Sequence, residues 1–258
     1  MSDQALLVEI RAIHTQTRGA FGWARVWRLL KSEGVRVGKR RVQLAMQRAG
    51  IRARGKRSFR VCTTDSRHGL PVAPNLLERN FTVAVPNAVW VGDITYIPTR
   101  EGWLYLATVL DLFSRRIVGW LMNEEMTAEL AIDALEMAWH CRSPGRSADD
   151  DAGLIFHSDR GSQYASAAFG LALSEHGIQL SMSRKGDCWD NACAETLFGS
   201  LKVERLHGMD FYSLREAKDA TLEWLLWYNG SRMHSTLGYL SPAQFERLWK
   251  AQPKPTAA

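Results

Sequence analysis

Residues 89–97 read VWVGDITYI, followed by WLYLATVLDL at 103–112 and IVGWLM at 117–122. β-Branched and aromatic residues dominate all three runs. Turn residues separate them, and the breaks are short enough for antiparallel hairpins. Downstream the pattern alternates. TAELAIDALEMAWHC (127–141) sets Leu130, Ala134, Leu135 and Ala138 on one helical stripe, and LIFHSD (154–159) reads as a fourth strand. AAFGLALSEHG (167–177) is a helix closed by Gly177, IQLSM (178–182) a fifth strand, and NACAETLFGSLKVERLH (191–207) a further helix. The order β-β-β-α-β-α-β-α predicts an α/β fold with a mixed five-stranded sheet flanked by helices.

Ahead of this region the chain changes character. Leu6, Ile10 and Ile13 share one helical face; Trp23, Val26, Trp27 and Leu30 share another; Val42, Ala45, Met46 and Ala49 define a third. The third helix turns Lys39, Arg40, Arg41 and Arg48 outward. Short helices, a Gly-containing turn and a basic last helix resemble a helix-turn-helix, whose final helix would enter a DNA groove. Charge agrees with this: residues 1–80 carry 17 Lys and Arg against 5 Asp and Glu, whereas residues 81–258 carry 16 against 22. A basic segment joined to an acidic one points to a polyanion partner for the first. The expected organisation is a small all-α DNA-binding domain at 1–52, a linker at 53–86, the mixed-sheet domain with its C-terminal helices at 87–250, and a tail at 251–258.

No C-x-x-C pair occurs among Cys62, Cys141, Cys188 and Cys193, so reduced thiols in a reducing cytoplasm are expected. The longest apolar stretch, LYLATVLDLF, is too short to span a bilayer and is interrupted by Asp111.

Three carboxylates carry the candidate chemistry. Asp93 lies inside the first strand, Asp159 ends the fourth, and Glu195 lies about one turn into the helix beginning near Asp190-Asn191. If the first and fourth strands are neighbours, the aspartates converge and the helix delivers the glutamate to the same edge. Three carboxylates together raise one another's pKa unless cations neutralise them. Oxygen donors with open positions suit Mg²⁺ or Mn²⁺, and two such ions can serve both the attacking and leaving oxygens of a phosphodiester.

Asp159 and Glu195 are separated by 35 residues, the D-x35-E spacing of the DDE transposases and retroviral integrases. FGWARVWRLL, NLLERNF, VPNAVWVGDITYI, LDLFSRRIVGW, HSDRGSQY, SMSRKGDCWDNACAETLFGSLKVE and YNGSRMHSTLGYLSP follow in order. The chain thereby resembles, nearly end to end, the OrfB transposases of the IS-three family of bacterial insertion sequences. The resemblance implies an RNase H-like core, a metal-binding triad of Asp93, Asp159 and Glu195, and a DNA-holding Lys202 seven residues beyond the glutamate. It also implies double-stranded DNA as substrate, a homo-oligomer on that DNA, and an upstream reading-frame product that can be fused by frameshifting. Without it, a nuclease that only hydrolyses and a non-catalytic DNA-binding regulator stay open.

Other residues have narrower expectations. Arg184 and Lys185 precede the triad helix and are candidates for phosphate contact, with Arg40, Arg41 and Arg48 as candidates in the N-terminal domain. Asp111 is expected to order the turn around Ser114-Arg115, and Asp187 and Asp190 to be turn and N-cap residues. His157 is expected to make a structural hydrogen bond. Trp224, Trp227 and Tyr228 are expected in the core.

Overall fold

The computed structural model describes residues 1–55, 69–144, 153–184 and 188–252. Strand β1 (Val89–Thr99) pairs antiparallel with β2 (Gly102–Asp111), and β2 pairs antiparallel with β3 (Arg116–Asn123). Strand β4 (Ile155–Ser158) lies parallel to β1 on its other side, and β5 (Gln179–Met182) parallel to β4. The sheet order is β3-β2-β1-β4-β5, so the expected five-stranded mixed sheet is present with β1 at its centre.

Helices α1 (Asp3–Gln16), α2 (Trp23–Ser32) and α3 (Lys39–Arg48) precede the sheet. Helix α4 (Ala128–Arg142) follows β3, α5 (Ala167–Glu175) lies between β4 and β5, and α6 (Ala192–Leu201), α7 (Leu214–Gly230) and α8 (Pro242–Ala251) complete the chain. Alternation along β1 sorts its side chains. Trp90 packs with Phe156, Phe169, Leu130 and Leu135 beneath α4 and α5, whereas Val89 and Val91 pack with Leu197, Phe198 and Trp224 beneath α6 and α7. Each such buried side chain contributes about 1.5–3 kcal/mol. Gly119 in β3 lets α4 approach closely, because a Cβ there would lie 2.1 Å from the carbonyl oxygen of Ala134.

The three N-terminal helices bury Leu6, Ile10, Val26, Leu30, Val42 and Met46 around a core of their own. Trp227 of α7 packs against that cluster as well as against the sheet's, with its ring centroid 6.0 Å from that of Phe21. Trp224 and Tyr228 are buried, as expected for core residues.

The helix expected over 191–207 is interrupted. After Leu201 the hydrogen-bond ladder widens into a single π turn at Lys202–Leu206, closed by the His207 amide on the Lys202 carbonyl at 2.7 Å. Within this turn Glu204 points inward and is buried. Local periodicity carries no sign of such a break, because the carboxylate's partner is Arg232, far along the chain.

Candidate active site

The parallel pairing of β1 with β4 places Val89 opposite Ile155, Trp90 opposite Phe156 and Val91 opposite His157. Two positions past this last pair stand Asp93, still within β1, and Asp159, one residue beyond the end of β4. Strand β4 ends at Ser158, so Asp159 opens a loop while β1 continues past Asp93. The loop turns at once: Oδ1 of Asp159 accepts from the amide of Gly161 at 2.9 Å. A Cβ on residue 161 would approach that same oxygen to 3.1 Å, so glycine suits this turn.

Helix α6 packs its Ala194, Leu197, Phe198 and Leu201 on the sheet face that carries Val89 and Val91. This is also the face to which Asp93 alternates. Glu195, the fourth residue of α6, is solvent-exposed beside it. The carboxyl of Asp93 is raised well above the usual range, first by burial, then by Asp159, with Glu195 adding to the effect. Its Oδ1 accepts from the amide of Ile94 at 2.8 Å, and this bond together with Lys202 opposes the rise. Burial lowers the pKa of the Lys202 ammonium, and Asp93 raises it in return. The four groups expected to meet therefore share one electrostatic environment.

They do not form a closed cage. Asp159 acts on Asp93 more strongly than Glu195 does. Among the described residues no group of three His, Cys, Asp or Glu side chains is gathered closely enough to hold a metal ion. In donor chemistry Asp93, Asp159 and Glu195 fit a hard divalent cation, since all three are carboxylates and Asp93 carries a raised pKa that a cation would relieve.

The floor of the site is aromatic. Tyr164, buried beneath the aspartates, packs edge to face on Phe169 at 5.2 Å, and its hydroxyl pKa is pushed well up by burial, Asp93 and Asp159. Gly92 makes room for this floor: a Cβ there would lie 2.3 Å from Phe156 and 3.3 Å from Tyr164. His157 is buried between two hydroxyls, Nδ1 at 2.8 Å from Ser181 Oγ and Nε2 at 3.2 Å from Ser183 Oγ, which bears out its structural reading. Burial lowers its pKa.

Asp190 departs from its expected N-cap role. The N-cap of α6 is Asn191, which makes no side-chain cap bond. Asp190 is instead buried as a hub. Its carboxylate accepts from the Arg184 amide at 2.9 Å, from Arg184 Nε and Nη2 at 3.0 Å, from Arg79 Nε at 3.1 Å and from Asn75 Nδ2 at 2.9 Å. The Arg184 guanidinium, foremost, holds this carboxyl well below the usual range. Arg184 thus braces the approach to α6 while its side chain remains 56 % exposed. Lys185 and Asp187 lie outside the described residues. Asp111 orders its turn as expected, accepting from the amides of Asn87 and Phe113, and also pairs with Arg142 at 2.6 Å in a buried cluster with Glu246.

Arg40, Arg41 and Arg48 are exposed on α3 and border a cleft of about 540 Å³ with Arg11 of α1. Arg41 is also bound to Asp3 at 2.7 Å. The pair Arg232–Glu204 is a finding for which YNGSRMH offered no derivable role. Arg232 donates to both Glu204 oxygens at 2.7–3.0 Å and to Ser200 Oγ of α6 at 3.1 Å. Arg25 of α2 approaches the same carboxylate at 3.6 Å, tying the N-terminal helices to the turn that carries Lys202.

Comparison with known proteins agrees with this fold. The Integrase core domain family matches residues 84–188 and, in a second form, 176–242, and an HTH-like domain matches residues 1–59. The chain is 45 % identical over 240 residues to the transposase InsF for insertion sequence IS3A of Escherichia coli, covering 92 % of this chain and 80 % of that one. It is 44 % identical over 249 residues to the 31 kDa protein of insertion element IS600 of Shigella sonnei, covering 96 % and 89 %. A chain of the simian T-cell lymphotropic virus intasome superposes with a TM-score of 0.54 at 17 % identity, covering 96 % of this chain and 78 % of that one, and so shares its fold. The parallel β1–β4 pair, the helix laid across it, the basic helical domain in front and this level of identity lead to one assignment: the chain belongs to the transposase family of the IS3 insertion sequences.

Proposed function

We propose that the chain cuts and joins DNA strands through Asp93, Asp159 and Glu195, and that divalent cations support the reaction. The observation that carries the reading is the parallel pairing of β1 with β4, which stops two residues short of Asp93 and Asp159, with Asp159 the nearest-acting charge on Asp93 and α6 laid against the same sheet face. Bound Mg²⁺ or Mn²⁺, as two ions, would hold the attacking and leaving oxygens of the phosphodiester.

The chain's own groups supply the rest. Asp93, disfavoured as an anion where it stands, gains most from a nearby cation, and Asp159 offers a second oxygen donor. Glu195 reaches the site by turning inward from the exposed side of α6. Lys202 holds a DNA phosphate beside the carboxylates, and Arg40, Arg41 and Arg48 bind the duplex away from the cut. Water attack on an element end releases a 3′ hydroxyl. That hydroxyl then attacks a second phosphodiester, so the strand broken in the target supplies the leaving oxygen and no ATP is consumed. Serine and tyrosine nucleophiles are not required.

The test is strand joining on supercoiled target DNA with Mg²⁺. Joined products from the parent and none from Asp93→Asn support the reading. Nicks without joined products would reduce it to a nuclease, and joining by Asp93→Asn would remove the residue from the chemistry.

A further inference from the structure

At the hairpin between β1 and β2 and beside it, two aromatic–cation contacts flank an aromatic pair. Tyr96 and Trp103 meet edge to face with centroids 4.9 Å apart. The register pairs Tyr96 with Tyr105 and Pro98 with Trp103, so the two rings are diagonal neighbours on one face. The ammonium of Lys202 lies 5.1 Å from the Tyr96 centroid, and the guanidinium of Arg100, also paired with Asp210, lies 4.0 Å from that of Tyr212. Trp103 is 51 % and Tyr212 64 % exposed. The hydroxyl of Tyr96 is buried without a hydrogen-bond partner among the described residues.

This patch adjoins the acidic site. Lys202 touches Tyr96 and acts on Asp93. Tyr96 stands three positions after Asp93, about 10 Å along β1 and on the opposite face of the sheet, and Lys202 reaches both where β1 runs on past its last pairing with β4. Aromatic faces flanked by Lys and Arg match the way single-stranded nucleic acid is held, with rings stacking bases and cations following phosphates.

We propose that this patch is a stacking platform for unpaired bases of the DNA strand next to the phosphodiester being cut, with Trp103 as the stacking ring and Lys202 and Arg100 beside the phosphates. The inference rests on the phosphodiester-cleaving reading of the adjoining carboxylates. A stacking face accepts any base, so the platform is sequence-tolerant, leaving sequence recognition to other surfaces.

The experiment is fluorescence anisotropy of the full chain with a labelled oligothymidylate and with a blunt duplex of equal length. Trp103→Ala should weaken oligothymidylate binding by about 5- to 150-fold, the range of one lost base–aromatic stack. Trp103→Phe should retain most of the affinity, and duplex binding should stay at the parent level. Because Trp103 is half exposed, its loss leaves the core intact, which an unchanged urea midpoint verifies. Parent-like oligothymidylate binding by Trp103→Ala overturns the platform, as does an equal loss on duplex. Strand joining by the parent and by Asp93→Asn tests the carboxylate reading separately. Absent joining with a Trp103-dependent oligothymidylate affinity would remove that reading and leave the single-strand site standing.

Discussion

Replacing Arg232 with Met should destabilise the chain more than any change at an exposed ion pair. The two side chains of the Arg232–Glu204 pair are 8 % and 7 % exposed. Arg232 supplies Nε and Nη2 to the carboxylate at 2.7–3.0 Å. In the variant, Glu204 would keep the indole of Trp224 at 3.3 Å and the more distant Arg25 at 3.6 Å. Stripping one partner from a buried ion pair costs about 3–5 kcal/mol, whereas an exposed pair contributes about 0–1 kcal/mol. For a chain of this size that corresponds to a Tm lowered by about 6–20 °C. Replacing both partners, Arg232→Met with Glu204→Met, removes the stranded charge and should recover most of the loss. The assay is urea unfolding of the parent, both single variants and the double variant, treated as a double-mutant cycle. A cost below about 1 kcal/mol for Arg232→Met, or a double variant worse than both singles, would refute the assignment of this pair as the brace of the π turn.

Further outcomes follow from neighbouring groups. His234 is pushed down to about 3 by burial, then by Arg232 and Arg25; an unfolded histidine titrates near 6.5. The unfolded chain therefore binds more protons between those values, so this group's contribution is full above about pH 6.5 and is lost as pH falls toward 3. Arg232→Met should raise the His234 pKa, read from its imidazole proton shifts by NMR. Asp190→Asn should slow strand joining, because it removes the charge that holds Arg184 and Arg79 ahead of α6. Circular dichroism should stay at the parent level, and a parent-like joining rate would contradict the role. Its folded carboxyl is held low, so its contribution is present above an ordinary aspartate pKa and fades as pH falls through the lowered value. Gly119→Ala should cost about 1–3 kcal/mol in urea unfolding, since its Cβ would meet the α4 backbone at 2.1 Å.

What could be read from the chain alone was whatever local pattern records. Strand alternation in VWVGDITYI and the breaks after it specify β1 to β3, and the helical stripes of 127–141 and 167–177 specify α4 and α5. The candidate triad was reachable because its spacing is a property of the linear sequence. Asp190 was misread because an acid ahead of a helix looks like a cap, while it binds Arg184 six residues before it together with Arg79 and Asn75 more than a hundred residues upstream. Arg232 and Glu204 sit in segments whose periodicity says nothing about pairing, and their match exists only after α7 folds back. The platform rings Tyr96 and Trp103 read as ordinary strand aromatics until the hairpin register makes them neighbours. Long-range charge pairing leaves no local trace, and that accounts for most of what went unread.

The central claim is that three acids from distant segments converge on bound divalent cations, and iron-directed backbone cleavage tests it most directly. With Fe²⁺ in place of Mg²⁺ and ascorbate and peroxide present, radicals cut the chain beside the bound ion. The account predicts fragments ending near Asp93, Asp159 and Glu195 together, all suppressed by excess Mg²⁺. Cuts beside the two aspartates with none near Glu195, on DNA-bound as well as free protein, would contradict it.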